Sequence, residues 1–212
     1  AYLQIANIRK EKPDAPLLAL TATATPKVIV DIQEKLEFKE KNAFHMSFER
    51  KNLTYVVRNA QDKNEELVHI LNSVRGCAIV YVRSRKRTRE IAEMLNANNI
   101  TATFYHAGLE PAVKDERQTA WQSDVVRVIV ATNAFGMGID KPDVRIVVHM
   151  DCPDSLEAYF QEAGRAGRDG NRSYAVLLYN GGDERKLDKR IVDNFPEKEY
   201  IKNVYQSLAF YY

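Results

Sequence analysis

The sequence predicts an α/β domain with a mainly parallel sheet flanked by helices, and three observations carry that expectation. Apolar runs of strand length stand at residues 77–82, 125–131, 145–150 and 173–179, and the first is continuous, as in a strand buried on both faces. Segments of helical period separate most of them. Small polar residues follow the strands, on the edge where α/β sheets place their ligands.

Composition agrees with this class. Of 212 residues, 45% are hydrophobic and 28% charged, which suits one large globular domain, or one domain plus parts of its neighbours. The formal net charge of +2 means that any grip on nucleic acid comes from a local patch. Cys77 and Cys152 lie in or beside apolar runs and lack metal-ligand spacing, so both are expected as reduced packing residues and no zinc is expected. No run reaches membrane-spanning length and no signal-peptide pattern opens the sequence. The default expectation is therefore a cytoplasmic location, nucleoid-associated in a bacterium or nuclear in a eukaryote. The first residues read as mid-helix and Phe210-Tyr211-Tyr212 lack a stop signal, so a longer parent chain is expected.

In order, residues 1–12 predict a short helix stopped at Pro13. Residues 17–20 predict a short buried strand running into Thr21-Ala22-Thr23-Ala24-Thr25-Pro26, where Thr25 can cap a helix reaching about residue 36. Residues 44–58 are predicted extended, interrupted by Arg50-Lys51-Asn52, and residues 64–74 helical. The strand at 77–82 ends at Arg83-Ser84-Arg85, a hydroxyl between two arginines at a helix start, which can hold a phosphate. Strand 101–105 closes at His106-Ala107-Gly108-Leu109, with His106 expected as a loop residue that bonds locally or touches a ligand. Trp121, on the helix predicted at 111–121, is expected in packing.

The strand at 125–131 leads into a loop with Thr132, Gly136, Gly138 and Asp140. Its glycines permit close backbone approach, its hydroxyl suits a phosphate, and its carboxylate suits a ribose hydroxyl or an arginine. After strand 145–150, a helix over 151–160 leads to Gln161-Glu162-Ala163-Gly164-Arg165-Ala166-Gly167-Arg168-Asp169-Gly170. Arg165 and Arg168 are three apart among small residues, so a helical turn would present both guanidinium forks on one face to a phosphate chain. The same pattern also suits a solvated basic helix end stopped at Gly170. Strand 173–179 follows, Gly181-Gly182 is expected to end the domain, and residues 183–212 are helical in pattern.

The strings at 21–24, 80–85, 105–109, 131–145 and 161–170 stand in the order and spacing of superfamily 2 helicases, and their wording resembles the RecQ family over roughly residues 1–182. DEAD-box RNA helicases usually carry a His-Arg version where this chain has Gln161-Glu162. The resemblance implies a RecA-like, P-loop-NTPase-type domain, the helicase C-terminal lobe, in an ATP-dependent DNA helicase. It implies the tail of a first RecA-like lobe at 1–46, the second lobe at 47–182 and the start of a downstream helical module at 183–212.

By resemblance, Arg165 and Arg168 are the catalytic pair reaching ATP, and Gln161, Asp140 and Gly138 lie at the nucleotide. Ser84, Arg85, His106, Gly108 and Thr132 lie at the nucleic-acid backbone, and Thr21, Thr23 and Glu162 couple the two. Implied partners are single-stranded or partially duplex DNA and the first lobe of the same polypeptide, with no membrane. A Gly-Lys-Ser/Thr phosphate loop and an Asp-Glu-x-His box for Mg²⁺ do not occur here. ATP with Mg²⁺ is therefore expected mainly on an upstream lobe, and this chain alone is expected to be inactive. The alternatives are an RNA-remodelling helicase of the same superfamily and a non-catalytic RecA-like binding module.

Overall fold

Apolar runs make the centre of a six-stranded parallel sheet in the computed structural model, which describes residues 5–209 apart from 22, 23, 46, 137 and 138. The chain divides into two units, residues 1–50 and 51–212.

The first unit contains α1 (Ala6–Glu11) and α2 (Pro26–Lys35). Thr25 caps α2 by accepting from the Val28 N–H, with Pro26 in the first turn. The buried strand expected at 17–20 does not form, and Leu18 and Leu20 are exposed. An apolar run becomes a strand only where a neighbour accepts its backbone hydrogen bonds. No strand among the described residues of this unit supplies one. Residues 44, 45 and 47–50 are likewise outside any ladder, with Phe44 and Phe48 exposed.

The second unit runs β1 (Leu53–Asn59), α3 (Lys63–Ser73), β2 (Cys77–Tyr81), α4 (Arg85–Ala97), β3 (Ala102–Tyr105), α5 (Pro111–Gln122), β4 (Val128–Ala131), β5 (Val144–His149), α6 (Leu156–Ala163), β6 (Ser173–Tyr179), α7 (Gly181–Asn194) and α8 (Lys198–Ala209). The strand order is β1-β6-β5-β2-β4-β3, and every pairing is parallel. All strands therefore end on one edge of the sheet.

Side chains alternate between its two faces. Ala78, Val80 and Val82 pack with Leu67 and Leu71 of α3 and Ile91 and Leu95 of α4. Cys77, Ile79 and Tyr81 pack with Trp121 of α5, Phe135 and Ala163 of α6. Trp121 is fully buried and donates its indole N–H to the Ala78 carbonyl at 3.1 Å, as a packing residue should. Burial pushes the Cys77 thiol up to about 12, while Cys152 is only half-buried.

Gly181 and Gly182 do not end the domain. They form the first turn of α7 under a capping box made by Asn180 and Asp183. Buried Asp183 is bridged to Lys63 of α3 at 2.6 Å. Arg190 of α7 donates to the Cys152 carbonyl at 3.2 Å and to Asp154 at 3.1 Å.

Candidate functional site

The edge formed by the strand ends carries the polar groups. Tyr81 closes β2, Tyr105 β3, Ala131 β4 and His149 β5, and the loops that follow hold most of the expected site residues.

The arginine segment is not a helical face. α6 stops at Ala163, and residues 164–169 are consecutive turns. Gly164 and Gly167 break the helix, and Gly167 sits at φ +62°, a conformation that glycine enters without penalty. The turn is anchored by backbone bonds from the Gly167 N–H to Val144 O at 2.8 Å and from the Asp169 N–H to Pro142 O at 3.1 Å. The Asn52 amide donates to Gly167 O at 2.7 Å and to Asn171 O at 2.9 Å. Arg145 holds Asp169 at 2.6 Å and, with Asn171, pulls that carboxyl down to about 2. The contribution of that contact is present above the usual carboxylate range and is lost as pH falls through about 2.

Although not on a helix, both forks meet the same loop. Arg165 donates through Nη1 to Gly136 O at 2.5 Å, and its Nε is buried without a partner. Arg168 donates to Ile139 O at 3.1 Å and to Asp140 at 3.0 Å, with its side chain 38% exposed. Asp140, the expected carboxylate, is thus the arginine's partner and is itself almost fully exposed. Gly138 and Thr23 lie outside the described residues.

Behind Arg165 lies a polar knot in the apolar layer. The Tyr81 hydroxyl donates to Phe135 O at 3.0 Å. Burial raises the Tyr81 hydroxyl's pKa, with Arg165 pulling the other way. Glu162 pairs with the buried His149 at 2.8 Å. Gln161 is exposed one residue earlier.

A second group gathers at the ends of β2, β4 and β3. Ser84 caps α4 through its side-chain oxygen, which leaves its O–H to donate outward. The Arg85 guanidinium lies against Gly108: a Cβ there would sit 2.8 Å from Arg85 Nη1 and 3.4 Å from His106 Nδ1. Burial, then Arg85 and Arg117, lower the pKa of His106 and favour its neutral form. Arg83, between β2 and Ser84, is partly exposed and pairs with Asp154 at 2.6 Å. Thr132 is buried at 7% exposure, its backbone tied to Tyr105 O and Phe135 N, so its hydroxyl is far less open than a loop position implies. Thr21 is exposed in the first unit.

Three residues of the site escaped the sequence reading. Asn52 looked like a polar interruption, and Tyr81 and His149 passed as members of apolar strands. A histidine inside a valine run was the available signal, because a buried imidazole needs a partner.

The model for the helicase conserved C-terminal domain matches residues 62–170, about half of the chain, and spans the Ser84, His106, Thr132 and Arg165–Arg168 loops. The chain belongs to the helicase conserved C-terminal domain family. Similar proteins include the ATP-dependent helicase SGS1 of Saccharomyces cerevisiae, 40% identical over 219 residues, and the ATP-dependent DNA helicase RecQ of Haemophilus influenzae, 40% identical over 193 residues. These alignments cover 99% and 91% of this chain but only 15% and 31% of those proteins. The RecQ-type wording of the motifs thus extends over nearly the whole chain. A solved S. cerevisiae Dbp5 variant, bound to a Gle1 variant and IP6, superposes with TM-score 0.69 at 18% identity, covering 96% of this chain and 57% of that one. That likeness is one of fold.

Within this helicase C-terminal domain, Gly167 is the residue that fixes the arginine turn. A Cβ there would lie 2.6 Å from both Asn52 Nδ2 and Ser173 Oγ and 2.9 Å from the Asn171 carbonyl. Gly167→Ala is expected to destabilise the domain by about 2–4 kcal/mol through left-handed strain plus overpacking. Gly170→Ala, at φ +82° with open space around it, is expected to cost about 1 kcal/mol from strain alone. Urea unfolding of both variants checks the contrast, and equal losses would mean that the crowding at Gly167 is relieved.

Proposed function

We propose that this domain is the second motor lobe of a RecQ-type, ATP-dependent DNA helicase that couples ATP hydrolysis to translocation along single-stranded DNA and to duplex unwinding. The observation that carries the reading is the convergence of Arg165 and Arg168 on the β4–β5 loop, which leaves the sheet at the edge that also holds Ser84, Arg85, His106 and Gly108. Arg168 is partly exposed, so its guanidinium retains donor capacity toward a polyphosphate. Gln161 and Asp140 flank the pair. Ser84, Arg85, His106, Gly108 and Thr132 would follow a DNA backbone, a grip that is sequence-independent and salt-dependent.

Among the described residues no group of three or more His, Cys, Asp or Glu side chains gathers to hold a metal. In this reading the ATP phosphates and Mg²⁺ are held mainly by a first RecA-like lobe of the same polypeptide, with Thr21, Thr23 and Glu162 linking nucleotide state to lobe movement. The names of the SGS1 and RecQ relatives support ATP as a substrate, and that of RecQ supports DNA. The 3′-to-5′ direction and a place in DNA repair and recombination belong to the same proposal.

The test is ATP hydrolysis by the full-length protein with and without single-stranded DNA, with single-stranded RNA as competitor. Hydrolysis stimulated by DNA, with apparent DNA affinity falling by a log–log slope of about 0.7 per neutralised phosphate as salt rises, is expected. RNA should compete weakly, and the 212-residue chain alone should not hydrolyse ATP. Equal stimulation by RNA would move the assignment to an RNA-remodelling helicase. Hydrolysis indifferent to both would leave a binding module.

A further inference from the structure

We propose that His149 is a positioning residue for Arg165, acting through Glu162 and the Tyr81 ring; its consequence for turnover rests on the role of Arg165 proposed above. His149 is the last residue of β5, 1% exposed, with Nε2 at 2.8 Å from Glu162 Oε2. It stands in register with Tyr81, the last residue of β2, and the two rings stack with centroids 5.2 Å apart. The Tyr159 ring closes the other side edge-on at 4.9 Å. Glu162 lies in the last turn of α6, and its carbonyl accepts the Arg165 N–H at 3.3 Å. Tyr81 holds the Phe135 carbonyl, next to the Gly136 carbonyl that Arg165 binds.

The arginine is therefore fixed at both ends. Its backbone hangs from Glu162, whose carboxylate is locked by His149, and its guanidinium binds the Gly136 carbonyl beside the one that Tyr81 holds, the Tyr81 ring being braced by the same imidazole. Sheet packing alone does not require a histidine here. Its neighbours Val147 and Val148 are fully buried aliphatics, and His149 Nδ1 has no hydrogen-bond partner. What the imidazole adds is the bond to Glu162, a buried polar contact that specifies one geometry.

Two variants separate the donor from the ring. His149→Phe keeps an aromatic stack and deletes the N–H; His149→Gln keeps a side-chain N–H within reach of Glu162. The direct readout is hydrogen exchange of the Arg165 Nε–H by NMR in the 212-residue chain. That signal is assigned by its loss in Arg165→Lys, with the Arg145 Nε–H, bonded to Asp143 O at 3.0 Å, as the control. His149→Phe is expected to speed Arg165 exchange at least about tenfold while leaving Arg145 unchanged, and His149→Gln to preserve protection.

In the full-length protein, His149→Phe is expected to lower kcat for ATP by about 10–100-fold, with KM for ATP nearly unchanged and recovery in His149→Gln. Unchanged Arg165 protection in His149→Phe overturns the proposal, whatever turnover does. If wild-type protein hydrolyses no ATP, the helicase reading fails, yet the exchange measurement still decides the positioning. Should His149→Phe not fold, Glu162→Gln reads the same link from its other end, and unchanged protection there overturns it equally.

Discussion

Arg168→Ala in the full-length protein is expected to lower DNA-stimulated ATP hydrolysis by about 10³–10⁵ while leaving ATP binding largely intact. A guanidinium that arrives from a second lobe acts on charge developing in the transition state, so its loss falls on kcat and not on ground-state affinity. Stability should hardly move. Arg168 is partly exposed, and its ion pair with Asp140 involves a carboxylate that is 86% exposed, a kind of contact worth about 0–1 kcal/mol. A thermal shift and a turnover assay on one preparation therefore separate catalysis from folding. Arg168→Lys should not rescue, because one ammonium cannot reproduce a fork that engages Ile139 O and Asp140 while keeping donors for phosphate. Turnover of Arg168→Ala within tenfold of wild type would remove the residue from the chemistry.

The geometry behind that expectation was only partly legible. The four long apolar strands announced themselves, because a strand buried on both faces has no polar alternation to hide it. Where the residues fall in chain order was also enough to bring Ser84, His106 and Thr132 to one edge, since parallel strands all end on the same side. The arginine turn was misread for a physical reason: Arg165 and Arg168 at i and i+3 satisfy a helix, but Gly164 and Gly167 between and before them satisfy a turn. The positive φ at Gly167, in a turn tied to Val144 and Asn52 by hydrogen bonds and with no room for a side chain, decides for the turn. Residues 17–20 failed in the opposite sense, since their pattern is right for a strand and the partner is what is missing. Asn52, Tyr81 and Lys63 stayed hidden because their partners stand far away in sequence, 115 residues away for Asn52 and Gly167, and His149 because Glu162, 13 residues on, lies on another element. Local periodicity does not encode such pairs.

Lys63→Met is the second large effect, expected to destabilise the domain by about 3–5 kcal/mol, the cost of stranding one member of a buried ion pair. Lys63 is 9% exposed and Asp183 3%, and the ammonium donates to the Met150 carbonyl at 2.6 Å as well as to the carboxylate. Burial works against the Asp183 carboxylate, yet its hydrogen bonds from Lys63 and the Asn180 N–H prevail and hold it below the usual carboxylate value. A depressed value makes this contribution complete above the unfolded carboxylate range and lost as pH falls through the folded one, so the wild-type advantage should shrink in acid. At neutral pH the variant's melting point should drop by roughly 10 °C, given about 2–4 °C per kcal/mol at this size. Lys186, 3.6 Å from Asp183 but largely solvent-exposed, screens only part of the abandoned charge. Lys63→Met with Asp183→Leu should recover much of the loss, because an apolar pair of similar volume carries no desolvation penalty. The consequence reaches beyond stability. This pair ties α7 to α3, and Arg190 of α7 shares Asp154 with Arg83 beside the Ser84 loop. If Lys63→Met leaves the melting point within 2 °C of wild type, by the same conversion, α7 is not fastened to the sheet through this pair.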